Sequence, residues 1–153
     1  MGLYVFMYFQ HIMETLQENT LIFIRLLPDE DIIENIQKAC EKYQVQTAIV
    51  ISGIGQLKNI KLGYFKEKED YAPQTFEKPH ELLNLSGTII KQDDTYLSHL
   101  HVSLGNEQKQ VIGGHLLGGK INITCEIAIL HSTAKVTRKI SEKTGLKELR
   151  LTS

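Results

Sequence analysis

The chain has 153 residues and a mass of 17.4 kDa, with 42% hydrophobic and 23% charged residues. This length is typical of one globular domain, which can bury roughly 70% of its unfolded surface without disulfides or a structural metal. Seventeen basic and eighteen acidic residues give a formal charge of -1, so the chain lacks the broad positive field that binds nucleic acids non-specifically. No apolar run reaches the 18 or so residues of a membrane span, and we expect no membrane partner.

The N-terminal segment MGLYVFMYFQHI is apolar and aromatic. It has no basic residue before the apolar stretch and no small-residue cleavage site after it, which is unlike a secretory signal. We therefore expect a cytoplasmic protein in which residues 1–20 are an N-terminal extension, or an extra edge strand, and residues 21–153 form the domain. Cys40 and Cys125 lie among apolar residues, and we expect both to be small buried hydrophobic residues in a reducing compartment.

The first predicted elements are a strand and an amphipathic helix. Residues 21–27, LIFIRLL, form an apolar run typical of a strand. A proline ends this run, and Asp29 is the predicted N-cap of a helix that continues to Tyr43 with apolar residues at helical spacing. Arg25 lies in mid-strand, and we expect it to form an ion pair with a carboxylate such as Glu126.

The rest of the chain is predicted to be mostly β-structure. Short turns separate its apolar runs, and residues 66–79 read as a polar loop. The predicted strands are 47–55, 57–65, 81–90, 95–105, 110–118 and 120–130. One helix and many strands joined by short turns predict an α+β fold, a single compact domain with a mainly antiparallel sheet and one principal flanking helix. A doubly wound nucleotide-binding fold is disfavoured, because the β-rich half has no helices for the crossovers.

Three of the six histidines fall in one predicted hairpin. His99 and His101 share one face of their strand, while Leu100 and its apolar neighbours point to the core. If the turn GNEQK is centred on Glu107, His115 lies directly opposite His99. Opposed Cβ atoms are about 4.5–5.5 Å apart, so the imidazoles could reach one ion. A shift by one residue would move His115 to the other face.

Three imidazoles without a fourth protein ligand are typical of an open metal site, where water or substrate occupies the remaining position. We expect one divalent ion at His99, His101 and His115, with zinc favoured over iron, nickel, copper or manganese. The alternative is three ordinary sheet histidines that hydrogen-bond to their neighbours. The sequence shows no Ser-His-Asp or Cys-His arrangement, so no catalytic residue and no organic cofactor site is assigned.

These segments together resemble the PPC domain, the plants and prokaryotes conserved domain, in its stand-alone prokaryotic form. The resemblance covers residues 21–130 and extends to the TGLKEL tail. It implies a PPC-like homotrimer with the histidine cluster near the subunit contacts, and the metal ligands of the family match His99, His101 and His115. The segments that carry it are RLLPDEDIIENI, AIVISGIGQLKNIKLGYF, ELLNLSGTI and HLHVSLGNEQKQVIGGHLLGGKINITCEIAIL.

Two functions remain open from the sequence. The first is a trimeric metal-binding protein with a small-molecule site, which could be a hydrolase or a lyase. The second is a DNA-associated regulator or scaffold, since plant members of the family bind A·T-rich DNA through AT-hooks beside this domain. The chain has no Arg-Gly-Arg-Pro core and no basic stretch, so we expect DNA binding to be weak or absent.

Overall fold

A computed structural model describes residues 12–151, and the expectations for residues 1–11 lie outside this range. Within it, one helix and nine strands follow one another along the chain. They are β1 (Glu14–Glu18), β2 (Leu21–Leu26), α1 (Ile32–Lys42), β3 (Thr47–Gly63), β4 (Gln74–Phe76), β5 (His80–Gln92), β6 (Thr95–Gly105), β7 (Val111–Ser132), β8 (Thr137–Ile140) and β9 (Lys147–Arg150).

Seven strands form one antiparallel sheet in the order β1-β2-β7-β6-β5-β3-β4. Strand β3 also pairs with β7, so β7, β6, β5 and β3 close into a ring of hydrogen-bonded neighbours. Strands β8 and β9 form a separate two-stranded sheet. A single compact domain with a mostly antiparallel sheet and one helix is thereby confirmed. The described chain contains no helix long and apolar enough to cross a membrane.

Strands β3 and β7 are each continuous, whereas the sequence predicted two strands joined by a turn in both places. Gly55 lies at the position of the first predicted turn, but it marks a register shift within β3 instead. Its φ is +149°, and an added Cβ would overlap the carbonyl oxygen of Thr124 and lie 2.7 Å from the Cα of Cys125. The glycine therefore permits a β-bulge and a close approach of two strands.

The helix begins later than predicted, because its N-cap is Asp31 and not Asp29. The Asp31 carboxylate accepts hydrogen bonds from the backbone N–H groups of Ile33 and Glu34, both at 3.0 Å. Asp29 has a left-handed φ of +71° and forms a salt bridge with Lys58 at 2.7 Å. A capping side chain must reach the second or third N–H of the helix, which Asp31 does from its extended conformation.

The core lies between the inner face of the coiled sheet and α1. It is built mainly from isoleucine and leucine, and it includes both cysteines. Cys40 and Cys125 are free and fully buried, as expected. Burial raises the pKa of each thiol to about 12, so neither forms a reactive thiolate at neutral pH.

The first described strand occupies the edge of the sheet. Strand β1 pairs with β2, and Glu14 lies opposite Arg25. The guanidinium Nη1 of Arg25 contacts the Glu14 carboxylate at 3.1 Å. Arg25 therefore forms the expected ion pair with a carboxylate, but its partner is Glu14 and not Glu126, which is the cross-strand neighbour of Arg25 in β7.

Candidate metal centre

Strand β6 places two histidines on one face of the sheet. Along this strand Leu100, Val102 and Leu104 are buried, while His99 and His101 point to the opposite side. The period of two that separates core from surface in a strand produces this arrangement. The shared face of His99 and His101 agrees with the sequence expectation.

The third histidine, His115, lies opposite His101 and not opposite His99. The predicted register was wrong by two residues, because the turn is centred one residue later. Asn106 closes a three-residue loop by donating its N–H to the Gln110 carbonyl oxygen at 3.0 Å, and Lys109 has a left-handed φ of +66°. A shift of two keeps every side chain on its face, so His115 still meets the other histidines.

The three imidazoles converge on one point. One ring nitrogen from each lies within 4.8 Å of the others, and the Nε2 atoms of His99 and His101 are 3.1 Å apart. Ring centroids are 5.1 Å apart for His99–His101 and His99–His115, and 5.4 Å for His101–His115. Nitrogens that bind one tetrahedral ion at 2.0–2.1 Å are roughly 3.3–3.4 Å from each other. The His99–His101 separation is close to this value, and the 4.8 Å limit brings the His115 nitrogen within reach of the same ion.

Burial makes two of the three imidazoles, those of His99 and His115, harder to protonate. Burial, and then the nearby imidazoles and Arg138, lower the pKa of His115 to about 4. Burial also lowers the pKa of His99, followed by the charge of Arg138 and by His101. Neutral imidazoles keep a nitrogen lone pair for a metal. In the described part of the chain the Nδ1 atom of His115 is buried and has no hydrogen-bond partner.

Tyr71 covers one side of the cluster and was not recognised from the sequence. Its ring meets His115 edge-on, with centroids 5.4 Å apart and planes at 84°. An added Cβ on Gly63 would overlap this ring, so the glycine leaves the space that Tyr71 fills. Burial raises the pKa of the Tyr71 hydroxyl. Its position in the predicted polar loop gave no sequence signal for this contact.

Arg138 approaches the cluster from strand β8 and was also missed. Its Nη2 donates to the Thr88 hydroxyl at 2.6 Å, and its Nη1 donates to the Lys147 carbonyl oxygen at 3.1 Å. Thr88 lies directly opposite His99 in the β5–β6 pairing. The only sequence signal was an arginine in the short alternating segment Thr137–Ile140, which contains nothing that points to the histidines.

A cavity of about 430 Å³ adjoins the cluster. Eight residues with polar groups line it, which are His99, His115, Tyr71, Arg138, Lys147, Gln37, Tyr96 and Ser98. Its aliphatic wall comes from five residues of α1, the sheet and the tail, which are Ile33, Leu97, Leu116, Leu117 and Leu146. Small-molecule sites commonly have this size and this combination of an apolar wall with a few polar groups.

Comparison with known proteins places the chain among related sequences and folds. A protein-family model described as the Plants and Prokaryotes Conserved (PCC) domain matches residues 13–133. The structure of a plant- and prokaryote-conserved protein from Pyrococcus horikoshii is 32% identical, with a TM-score of 0.74 over 92% of this chain and 98% of that one. A metal-containing protein from Archaeoglobus fulgidus is 27% identical, with a TM-score of 0.79 over 92% of this chain and 99% of that one.

Two further relatives bear on function less directly. A candidate DNA-binding protein from Bacteroides thetaiotaomicron has a TM-score of 0.85 over 90% of this chain and 96% of that one, but its 21% identity shows the fold alone. The bifunctional protein GlmU of Synechococcus sp. (strain JA-3-3Ab) is 29% identical over 130 residues, 84% of this chain. The chain spans only 20% of the length of that relative.

Proposed function

The chain belongs to the Plants and Prokaryotes Conserved domain family, and we propose that it is a metal-binding member in which His99, His101 and His115 hold one divalent ion beside a small-molecule site. The convergence of their ring nitrogens within 4.8 Å carries this proposal. Zinc is the proposed ion, because three imidazoles with an open fourth position are typical of zinc sites. The relative from Archaeoglobus fulgidus, described as metal-containing, supports the presence of a metal ion but not the choice of zinc.

The residues present fit a metal ion by their chemistry. The buried Nδ1 of His115 lacks a hydrogen-bond partner among the described residues, and an unsatisfied buried nitrogen is costly unless something binds it. Burial lowers the pKa values of His99 and His115, which leaves their lone pairs free at neutral pH. These two observations support a metal site at His115, whose buried nitrogen no neighbour satisfies, whereas the Nε2 atoms of His99 and His101 lie within hydrogen-bonding distance of each other.

Each part of the site has a separate role in this proposal. The pairing of β6 with β7 fixes the spacing of the ligands, and Tyr71 packs against His115 and limits the access of water. Polarisation of a substrate oxygen is the chemistry that such an ion supplies when bound. The adjoining cavity admits the small molecule. A hydrolase or lyase activity is the catalytic form of this proposal, and we assign no acid or base residue to it.

We also propose that the chain forms a homotrimer through the outer face of the sheet. Leu16 pairs with Phe23, and Ile49 pairs with Leu130, across neighbouring strands of that face. All four are between 42% and 64% exposed. Exposed apolar groups that lie together mark an interaction surface. Ile49 lies opposite Thr88, and Thr88 opposite His99, so this interface would adjoin the cluster, as the PPC resemblance implies.

A DNA-associated role has weaker support. The relative from Bacteroides thetaiotaomicron, named as a candidate DNA-binding protein, is only 21% identical. A formal charge of -1 allows few phosphate contacts. DNA binding is therefore the competing outcome in the tests below, and a cytoplasmic location stays a prediction from the cysteine pattern.

Metal analysis of the purified protein tests the proposed function. We expect about one equivalent of metal per chain after purification without chelator, and a large loss in the His101→Ala variant. His131→Ala is the matched control, because His131 lies outside the cluster and contacts Gln17 and the carbonyl oxygen of Asn19. Equal metal content in the wild type and His101→Ala would contradict the proposal. Circular dichroism checks that both variants are folded.

A further inference from the structure

Arg138 is a buried cation without a carboxylate partner in the described chain. Only 7% of its surface is exposed, and the salt bridges within residues 12–151 do not include it. Its two side-chain hydrogen bonds go to neutral oxygens, of Thr88 and Lys147, and its Nε is buried without a partner. A guanidinium keeps its charge at any physiological pH. Burying an unpaired charge is costly, so this position favours an anion.

The cavity beside Arg138 carries only positive formal charge. Arg138 and Lys147 line it, and no aspartate or glutamate of the described residues does. Glu148 lines a second cavity, which also touches Arg138, and its carboxylate contacts Arg150 at 3.5 Å. The cavity therefore lacks an internal counter-ion.

The guanidinium is held close to the histidine cluster. Thr88 lies directly opposite His99, and opposed side chains in an antiparallel pair have Cβ atoms about 4.5–5.5 Å apart. The hydrogen bond from Arg138 to the Thr88 hydroxyl places the charge beside the His99 imidazole. Its effect on the pKa values of His99 and His115 agrees with this proximity.

Arg138 lies outside the part of the chain that defines the family. The family match ends at residue 133, and the tail brings Arg138 back onto the sheet. The backbone N–H of Arg138 donates to the side-chain oxygen of Gln92 at 2.8 Å, which fixes β8 against the end of β5. The tail therefore adds a charged wall to a site whose histidines come from the family domain.

We propose that Arg138 is an anion-binding residue and that the ligand of this cavity is a small molecule with a carboxylate on an apolar body. This inference rests on the proposed function, because it names the ligand class of the same site. A guanidinium binds a carboxylate through charge-assisted and often bidentate hydrogen bonds. The aliphatic wall, which includes Leu97, Leu116 and Leu146, accommodates the apolar body.

Calorimetric titration with butyrate, octanoate and 4-phenylbutyrate tests this inference on the full chain, with the metal content of each sample measured. Each acid is compared with the alcohol of the same carbon skeleton. We expect at least one acid to bind the wild type at least tenfold more tightly than its alcohol. Arg138→Gln should lose this preference and keep the wild-type metal content.

Two further variants separate the anion site from effects on folding. Lys143→Gln removes an exposed positive charge from the turn of the same hairpin and should bind the acid as the wild type does. Thr88→Val keeps the charge of Arg138 but removes the hydroxyl that orients its Nη2, so it should weaken acid binding while the protein stays folded. This variant keeps the test valid if Arg138→Gln does not fold.

The outcomes distinguish this inference from the proposed function. A wild type that holds metal but binds every acid and its alcohol equally overturns the anion site and leaves the metal proposal in place. An Arg138-dependent preference for the acid in a wild type without metal supports the anion site while the metal proposal fails. Acid binding that Arg138→Gln leaves unchanged, or tighter binding of inorganic phosphate than of any acid, also overturns the inference.

Discussion

Replacing Gly87 with alanine should damage the metal centre without touching an imidazole. Gly87 lies opposite Leu100 in the β5–β6 pairing, between the pairs that contain His99 and His101. An added Cβ would overlap the carbonyl oxygen of His99 and lie 2.9 Å from the Cα of Leu100. The two strands would have to separate by about 1 Å to restore an ordinary contact. That movement would displace the strand that carries two of the three proposed ligands.

The backbone conformation at Gly87 sets the loss of stability that Gly87→Ala should cause. Gly87 has a φ of +145°, a conformation that costs a residue with a Cβ about 1–3 kcal/mol. Weakening one or two neighbouring backbone hydrogen bonds adds about 1 kcal/mol each. A total of about 3 kcal/mol lowers the melting temperature of a 150-residue domain by roughly 6–12 °C. Displaced ligands should lower metal affinity by about 10–100-fold, by analogy with the loss of groups that orient metal ligands.

Thermal denaturation and metal titration of the same samples measure both effects. Gly118→Ala is the matched control, because an added Cβ at Gly118 meets nothing within 4 Å. We expect its melting temperature to be unchanged or slightly higher and its metal affinity to equal that of the wild type. A Gly87→Ala variant with wild-type stability and affinity would refute the reasoning that the β5–β6 pairing positions the ligands.

Three other predictions concern assembly, DNA and pH. Light scattering should give about three times 17.4 kDa for the wild type. Phe23→Asp should dissociate the assembly, because it places a charge in the apolar face. A monomeric wild type would contradict the proposed trimer. DNA binding, if detected, should be lost at moderate salt, and tight sequence-selective binding at physiological salt would favour the regulatory alternative. The metal-free protein should lose stability as pH falls from 6.5 toward about 4, because the unfolded chain binds the His115 proton more tightly than the folded chain does. Metal-free His115→Gln should show a smaller loss in denaturant titrations, and an equal loss would contradict this cause.

Local patterns in the sequence predicted the parts of the structure that depend on local geometry. The alternation of His99, Leu100 and His101 correctly separates the histidine face of β6 from the core. The helix was recognised because its apolar spacing is long enough to define one face. The sequence predicted the correct face for His115 but the wrong cross-strand partner, His99 in place of His101. A register error of two residues leaves each side chain on the same face of the sheet.

The remaining features depend on contacts that local patterns do not encode. Gly55 was interpreted as a turn, because a glycine that permits close strand approach looks the same in sequence as a glycine that permits a turn. The turn centre depended on Asn106 and the left-handed Lys109, which the segment GNEQK does not specify uniquely. Tyr71 and Arg138 reach the cluster from distant segments, so only the folded chain shows their contribution.

The three proposed ligands all lie within residues 99–115 of a single hairpin, and this has a consequence for the order of folding. The hairpin closes through the three-residue loop after Asn106, so its loop-closure entropy is small and its formation is fast. Pairing of β3 with β7, by contrast, joins residues as distant as Thr47 and Ser132 and carries a larger entropic cost. The ligands can therefore meet while the rest of the ring is still open. Arg138 and Tyr71 belong to segments that dock from a distance, so we expect the cavity to be completed after the cluster that it adjoins.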